Sequence, residues 1–169
     1  MTDTSAAVPA DAAPEASDED VFEQKAVRLA KRERLLAERT DAAGGAYPVS
    51  VPVTASIAEV RERFAHLEAG DETGETVSVA GRVVFSRNTG KLCFAALQAG
   101  DGSRIQAMVS LAAVGEESLQ RWKELVDLGD HVAVTGEVIS SRRGELSIMV
   151  AEWTIAAKAL LPLPNLYAE

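Results

Sequence analysis

The chain has 169 residues, 47% of them hydrophobic and 25% charged, enough for one domain of ordinary size with its own core and some flanking sequence. No apolar run nears the roughly 18 residues of a membrane span, and the single cysteine, Cys93, leaves no partner for an internal disulfide. A net charge of −9 argues against nucleic acid, whose phosphates bind lysine and arginine, but six acids and no base fall within residues 1–20, leaving −3 without that stretch.

The opening "MTDTSAAVPADAAPEASDED" lacks the basic and continuous apolar regions of a secretory signal, which with the lone cysteine points to the cytoplasm. Its Ala, Pro, Asp and Ser cannot bury enough apolar surface to offset ordering entropy, so residues 1–20 are expected to be a disordered acidic tail. A helix is predicted over 22–43, closed by Gly44 and Gly45, with a thin apolar stripe of Phe22, Ala26, Leu29 and Leu36. Lys25, Arg28, Arg32 and Arg39 recur along one side. That side could lie on a phosphate backbone, or Glu23, Glu33 and Glu38 could make it a solvated helix with local ion pairs.

Ser56 and Glu59 have the spacing of a capping box, with Ile57, Val60, Phe64 and Leu67 at helical offsets behind them, so a second helix is expected to run toward Gly70. After a polar turn, "GDETGE", three strands follow as a meander: "TVSVAGRVVFSR", with a bulge expected near Gly81, then "KLCFAALQ" and "SRIQAMVS". "GEESLQRWKELVDLG" puts Leu119, Trp122, Leu125 and Val126 on one helical face. Two more strands, "HVAVTGEVIS" and "ELSIMVAEWTIAAK", flank the turn "SRRG". The order β-β-β-α-β-β makes the fold mainly β, a five-stranded OB-fold barrel preceded by two helices. The expected divisions are the tail (1–20), a helical extension (21–72), the barrel (73–158) and a linker (159–169) leading toward a further domain.

No catalytic or metal-binding constellation emerges. His66 and His131 lack the spacing and company of metal ligands, Gly90 and Lys91 lack the rest of a phosphate loop, and Cys93 alternates into the core as a small hydrophobe. Strand alternation puts Cys93, Ala95 and Leu97 inward and Leu92, Phe94 and Ala96 outward, beside Gln98, Arg104 and Gln106. With Arg82 and Arg87, that face combines the aromatic, basic and polar groups with which OB surfaces hold single-stranded nucleic acid. The alternation does not say which face is wet, so a Phe94 that caps one end of the barrel, with arginines that only solvate it, fits the residues too.

The stretches "VSVAGRVVFSRNTGKLCFAALQAGDGSRIQAMVS" and "DLGDHVAVTGEVISSRRGELSIMVAEWTIAAKALLPLP" resemble the N-terminal anticodon-binding domain of bacterial class II lysyl-tRNA synthetases of the actinobacterial kind. The resemblance implies that the barrel grips the anticodon loop of lysine tRNA, with the central uridine stacked on Phe94 and read by Arg87, Gln106 and Glu145. Arg82, Lys25, Arg28 and Arg32 would touch phosphates. It further implies a homodimeric family whose ATP and magnesium belong to a catalytic domain, so that this chain alone carries no cofactor or catalytic residue. A barrel face that meets a partner protein, and a free-standing OB protein without anticodon preference, are the competing readings.

Overall fold

The structure is a computed structural model and describes residues 17–38 and 46–164. The expected tail up to residue 16, the end of the first helix with its glycine cap, and the last five residues of the expected linker lie outside them.

Helix α1 spans Asp18–Glu38, so it starts inside the stretch expected to be disordered. The cause is local. The Ser17 hydroxyl accepts from the Asp20 amide (3.2 Å) while the Asp20 carboxylate accepts from the Ser17 amide (3.1 Å) and hydroxyl (2.7 Å), a reciprocal cap with Asp in the usual Glu place. These bonds hold the Asp20 carboxyl below its ordinary pKa, and three acids in the first turn suit the positive end of the helix. The buried face is also not the expected one. Arg28 and Leu35 turn inward, while Phe22 and Leu29 are exposed.

Helix α2, Ile57–Arg63, has the capping box read from Ser56 and Glu59 and buries Ile57 and Val60, but it ends at Phe64, short of Gly70. Strand β1, Glu72–Asn88, absorbs most of the expected polar turn: Thr73 Oγ1 donates to the Val138 carbonyl (2.7 Å) and the Gly74 amide donates to Glu137 (2.7 Å). β2 (Leu92–Gln98) and β3 (Arg104–Ser110) complete the meander. An unanticipated turn of helix, α3 (Leu111–Val114), capped by Ser110, precedes α4 (Glu116–Leu125), and β4 (His131–Ser140) and β5 (Leu146–Ala157) follow.

The strands close into a barrel in the order β1-β2-β3-β5-β4. All pairs are antiparallel except β3 and β5, which run parallel through Gln106–Ser147, Ala107–Ile148 and Met108–Met149. The barrel interior is aliphatic, with Val83, Leu97, Val109, Val132, Ile148 and Val150 fully enclosed. α4 adds Leu119, Trp122 and Leu125 to that core, and Trp122 meets Trp153 edge to face at 5.1 Å.

The bulge expected near Gly81 falls at Val84: Val83 pairs with Leu97 and Phe85 with Ala96, leaving Val84 as the extra residue. Gly81 serves a close approach instead, because a Cβ there would lie 3.1 Å from the Gln98 carbonyl oxygen and from Leu97 Cβ.

α1 is fixed to the barrel by buried polar groups. Arg28 Nη1 donates to the carbonyls of Leu128 (2.9 Å) and Ala159 (2.8 Å). Lys31 pairs with Asp127 at 2.6 Å, and Lys158, its side chain fully enclosed, donates to Asp127 (2.9 Å), Asp130 (2.6 Å) and the Leu125 carbonyl (2.7 Å). Burial pushes the Asp127 carboxyl up, but the hydrogen bonds and charges of Lys31 and Lys158 outweigh it and hold the group below its ordinary pKa. A carboxylate depressed on folding contributes stability that is present above its unfolded pKa and lost as pH falls through the folded one. Stability should therefore decline below about pH 4. Asp127→Asn should be less stable at neutral pH and show a shallower decline, read from urea midpoints across pH; an unchanged slope would remove Asp127 as a cause.

Candidate nucleic-acid interface

Outward-facing residues on β1, β2, β3 and β5 line up in rows set by the strand register. One row runs Arg87, Phe94, Met108, Met149; the next runs Phe85, Ala96, Gln106, Ser147; a third runs Arg82, Gln98, Arg104. The alternation in β2 is as read from the sequence, with Cys93, Ala95 and Leu97 buried and Phe94 half-buried on the opposite face. Burial pushes the Cys93 thiol up, more than the charge of Lys123 draws it down, which keeps it protonated and unreactive.

Phe94 stands between Arg87 and Met108, and the Arg87 guanidinium carbon lies 4.9 Å from the ring centroid. A cation over an aromatic face at that distance is an attractive contact that holds the half-exposed ring in place on this face.

Gln106 is held in one orientation. The Ser147 hydroxyl donates its only hydrogen to the Glu145 carbonyl (2.8 Å), so toward Gln106 it can only accept, and Gln106 Nε2 donates to it at 2.9 Å. The amide oxygen of Gln106 must therefore point the other way, with one N–H still unspent. A fixed acceptor beside a donor complements the imide edge of uracil, where N3–H donates and the flanking carbonyls accept. Uracil meets such a pair in either sense, whereas cytosine, with an accepting N3 beside a donating amino group, meets it only when its amino group faces the amide oxygen, so the choice depends on how the base is turned.

Glu145 closes the turn that leads into β5, two residues before Ser147, where its amide meets Ser141 Oγ (3.1 Å); its side chain is exposed. Arg104 donates from Nε to Gln98 Oε1 (2.8 Å) and Arg82 from Nη1 to the Gly129 carbonyl (3.0 Å). Across the β1–β4 ladder from Arg82, His131 is held below its ordinary pKa by burial and then by the Arg82 charge, with Asp130 opposing.

The structure thus brings Phe94, Gln106, Arg87 and Arg82 to one face, with Glu145 exposed in the turn at the end of the Gln106–Ser147 row. The three helix residues fare differently. Lys25 is exposed, Arg32 is half-exposed and paired with Glu33 (3.0 Å), and Arg28 is buried on two carbonyls, where it cannot reach a phosphate. Sequence reasoning passed over Phe85, which is 53% exposed, and Arg142 and Arg143, exposed in the turn between β4 and β5 beside Glu145. The doubled arginine of "SRRG" was a visible signal; Phe85 depended on where the bulge fell.

No helix among the described residues is long and apolar enough to cross a membrane. Among the same residues no group of three His, Cys, Asp or Glu side chains is placed to hold a metal ion.

Residues 77–156 match the model of a family described as OB-fold nucleic acid binding domain. The chain is 60% identical over 156 residues to a lysine–tRNA ligase of Kineococcus radiotolerans, covering 92% of this chain and 30% of that protein. It is 56% identical over 153 residues to one from Mycolicibacterium gilvum (90% and 30%), and 42% identical over 124 residues to one from Rhizobium meliloti (73% and 24%). The chain spans less than a third of the length of these curated relatives.

Proposed function

We propose, from the match of residues 77–156 to the OB-fold nucleic acid binding domains, that the chain is the anticodon-binding part of a lysine–tRNA ligase. Its barrel face receives the unstacked anticodon loop of lysine tRNA. Phe94 is the platform for the central uridine, Gln106 reads its edge, and Arg87, Arg82 and Glu145 surround it. The observation that carries the reading is the Ser147-locked amide of Gln106 in the row next to Phe94. Stacking tolerates every base, and a fixed donor and acceptor supply the choice that stacking cannot. The ligation chemistry, with its ATP and magnesium, belongs in this reading to other parts of such a ligase.

Net acidity is compatible with this role when charge is segregated. Arg87, Arg142, Arg143 and Lys91 are exposed around the barrel, whereas the acids of α1 cluster at its start.

Binding of the lysine anticodon stem-loop by the chain should weaken as salt rises and should favour the loop with uridine at the centre over one with cytidine there. Phe94→Ala should cost about 1–3 kcal/mol of affinity with the circular dichroism spectrum unchanged. Equal affinity for the two loops would refute Gln106 as a reader, and undiminished binding by the Phe94 variant would refute the platform.

A further inference from the structure

Phe85 is the one large apolar side chain on the barrel strands, among the described residues, that stands this exposed, at 53%. A half-wet phenyl ring on a strand gains little from folding, and neither an aromatic contact nor a cation contact ties it down. Its position comes from the bulge at Val84. Without that extra residue, Phe85 would have the parity of the core. With it, Phe85 pairs with Ala96 on the same outward face as Phe94.

The surroundings fit a flat ligand. Ala96, the smallest side chain in its row, separates Phe85 from Gln106 and leaves a low point between them. Phe85 and Phe94 are diagonal neighbours across the β1–β2 ladder, since Phe94 lies two residues before Ala96 on β2. Such neighbours sit about 7–8 Å apart. That is the spacing at which two aromatic rings can each take one of two consecutive bases of an unstacked strand. Arg87, paired with Phe94 and two residues beyond Phe85 on β1, stands where the phosphate between those bases would pass.

We propose that Phe85 is a second stacking platform, holding a base of single-stranded RNA adjacent to the one on Phe94. The proposal rests on the anticodon-binding reading and extends it from one base to two. Phe85 contributes affinity and loop geometry without base choice, because no amide in its row is left to read a second edge: Gln106 serves the first base.

The test pairs protein variants with altered loops. Binding of the lysine anticodon stem-loop is measured by fluorescence anisotropy for the parent chain, Phe85→Ala, Phe85→Leu, Phe85→Tyr and Phe94→Ala, each against loops carrying one abasic nucleotide in turn. Phe85→Ala and Phe85→Leu should each weaken binding about tenfold, and Phe85→Tyr should stay within about twofold of the parent, because stacking needs the ring plane and not merely an apolar group. The loss on Phe85→Ala should vanish for one abasic position, next to the position at which the Phe94→Ala loss vanishes.

Parent-like binding by Phe85→Ala, with Phe94→Ala weakened, would overturn the second platform and leave the anticodon reading standing. Coupling of both rings to the same nucleotide would overturn it too, making Phe85 a wall of a single pocket. Failure of the parent chain to bind any loop would overturn both, and the exposed ring would then mark a protein contact. Unchanged thermal midpoints separate these outcomes from unfolding.

Discussion

Lys158→Ala should lower the stability of the chain by about 3–5 kcal/mol, among the largest effects expected of any single substitution in it. The ammonium is completely enclosed, as is its nearer partner Asp130. Truncating the lysine leaves that carboxylate buried without its counter-ion, retaining only the amides of Asp127 (2.8 Å) and Ala159 (2.9 Å) as donors. It also strips one of the two lysines from Asp127 and orphans the Leu125 carbonyl. For a domain of this size the thermal midpoint should fall by about 10 °C. Lys158→Arg should not restore it, because a planar fork cannot replace three bonds converging on one nitrogen. Urea denaturation followed by tryptophan fluorescence measures the loss, and a cost below about 1 kcal/mol would show that the pair is replaceable by its amide donors alone.

Gly136→Ala should be nearly as damaging, for a steric reason. A Cβ at this position would lie 2.0 Å from the Met149 carbonyl oxygen, 2.7 Å from its carbon and 2.9 Å from Val150 Cα. All three obstacles are backbone of β5, where the β4–β5 register shifts between Thr135 and Gly136, so no side chain can rotate away. The expected cost is about 3 kcal/mol, the upper end for overpacking. Gly100→Ala, with open space around it, is the control and should be close to neutral. Because Met149 ends the row that carries Phe94, whatever Gly136→Ala retains of the fold should bind RNA more weakly. A parent-like urea midpoint for Gly136→Ala would contradict the tight approach of the two strands.

The elements governed by local rules were legible in the sequence. Period-two alternation placed Cys93 inside and Phe94 outside, and the Ser56 and Glu59 spacing gave the start of α2. The same rule was available for α1, where Ser17 and Asp20 form a cap within a stretch whose overall composition suggested disorder; an averaged composition hid a pair of residues three apart. Other features were set by partners far along the chain. Arg28 turns inward because carbonyls 100 and 131 residues away receive its guanidinium, and no helical periodicity contains that fact. The bulge depended on β1 pairing with two strands at once, with Gly81 needed for a close approach, so the extra residue moved to Val84 and reversed the facing of Phe85. Placing Arg82, Arg87, Phe94 and Gln106 on one face needed only the meander. Locking the Gln106 amide needed Ser147 on another strand.

The parallel ladder between β3 and β5 has a bearing on the order in which the molecule assembles. The meander of β1, β2 and β3 closes through short turns, so its contacts can form early, whereas the ladder joins residues 41 positions apart and must wait for β4 to lie down between β1 and β5. Phe94 and Arg87 belong wholly to the early part. Ser147 arrives with the seam. A chain caught before that last step would present an aromatic ring and a cation with a freely turning amide, sticky toward any base and selective for none, so on the proposed reading base choice comes only when the barrel shuts.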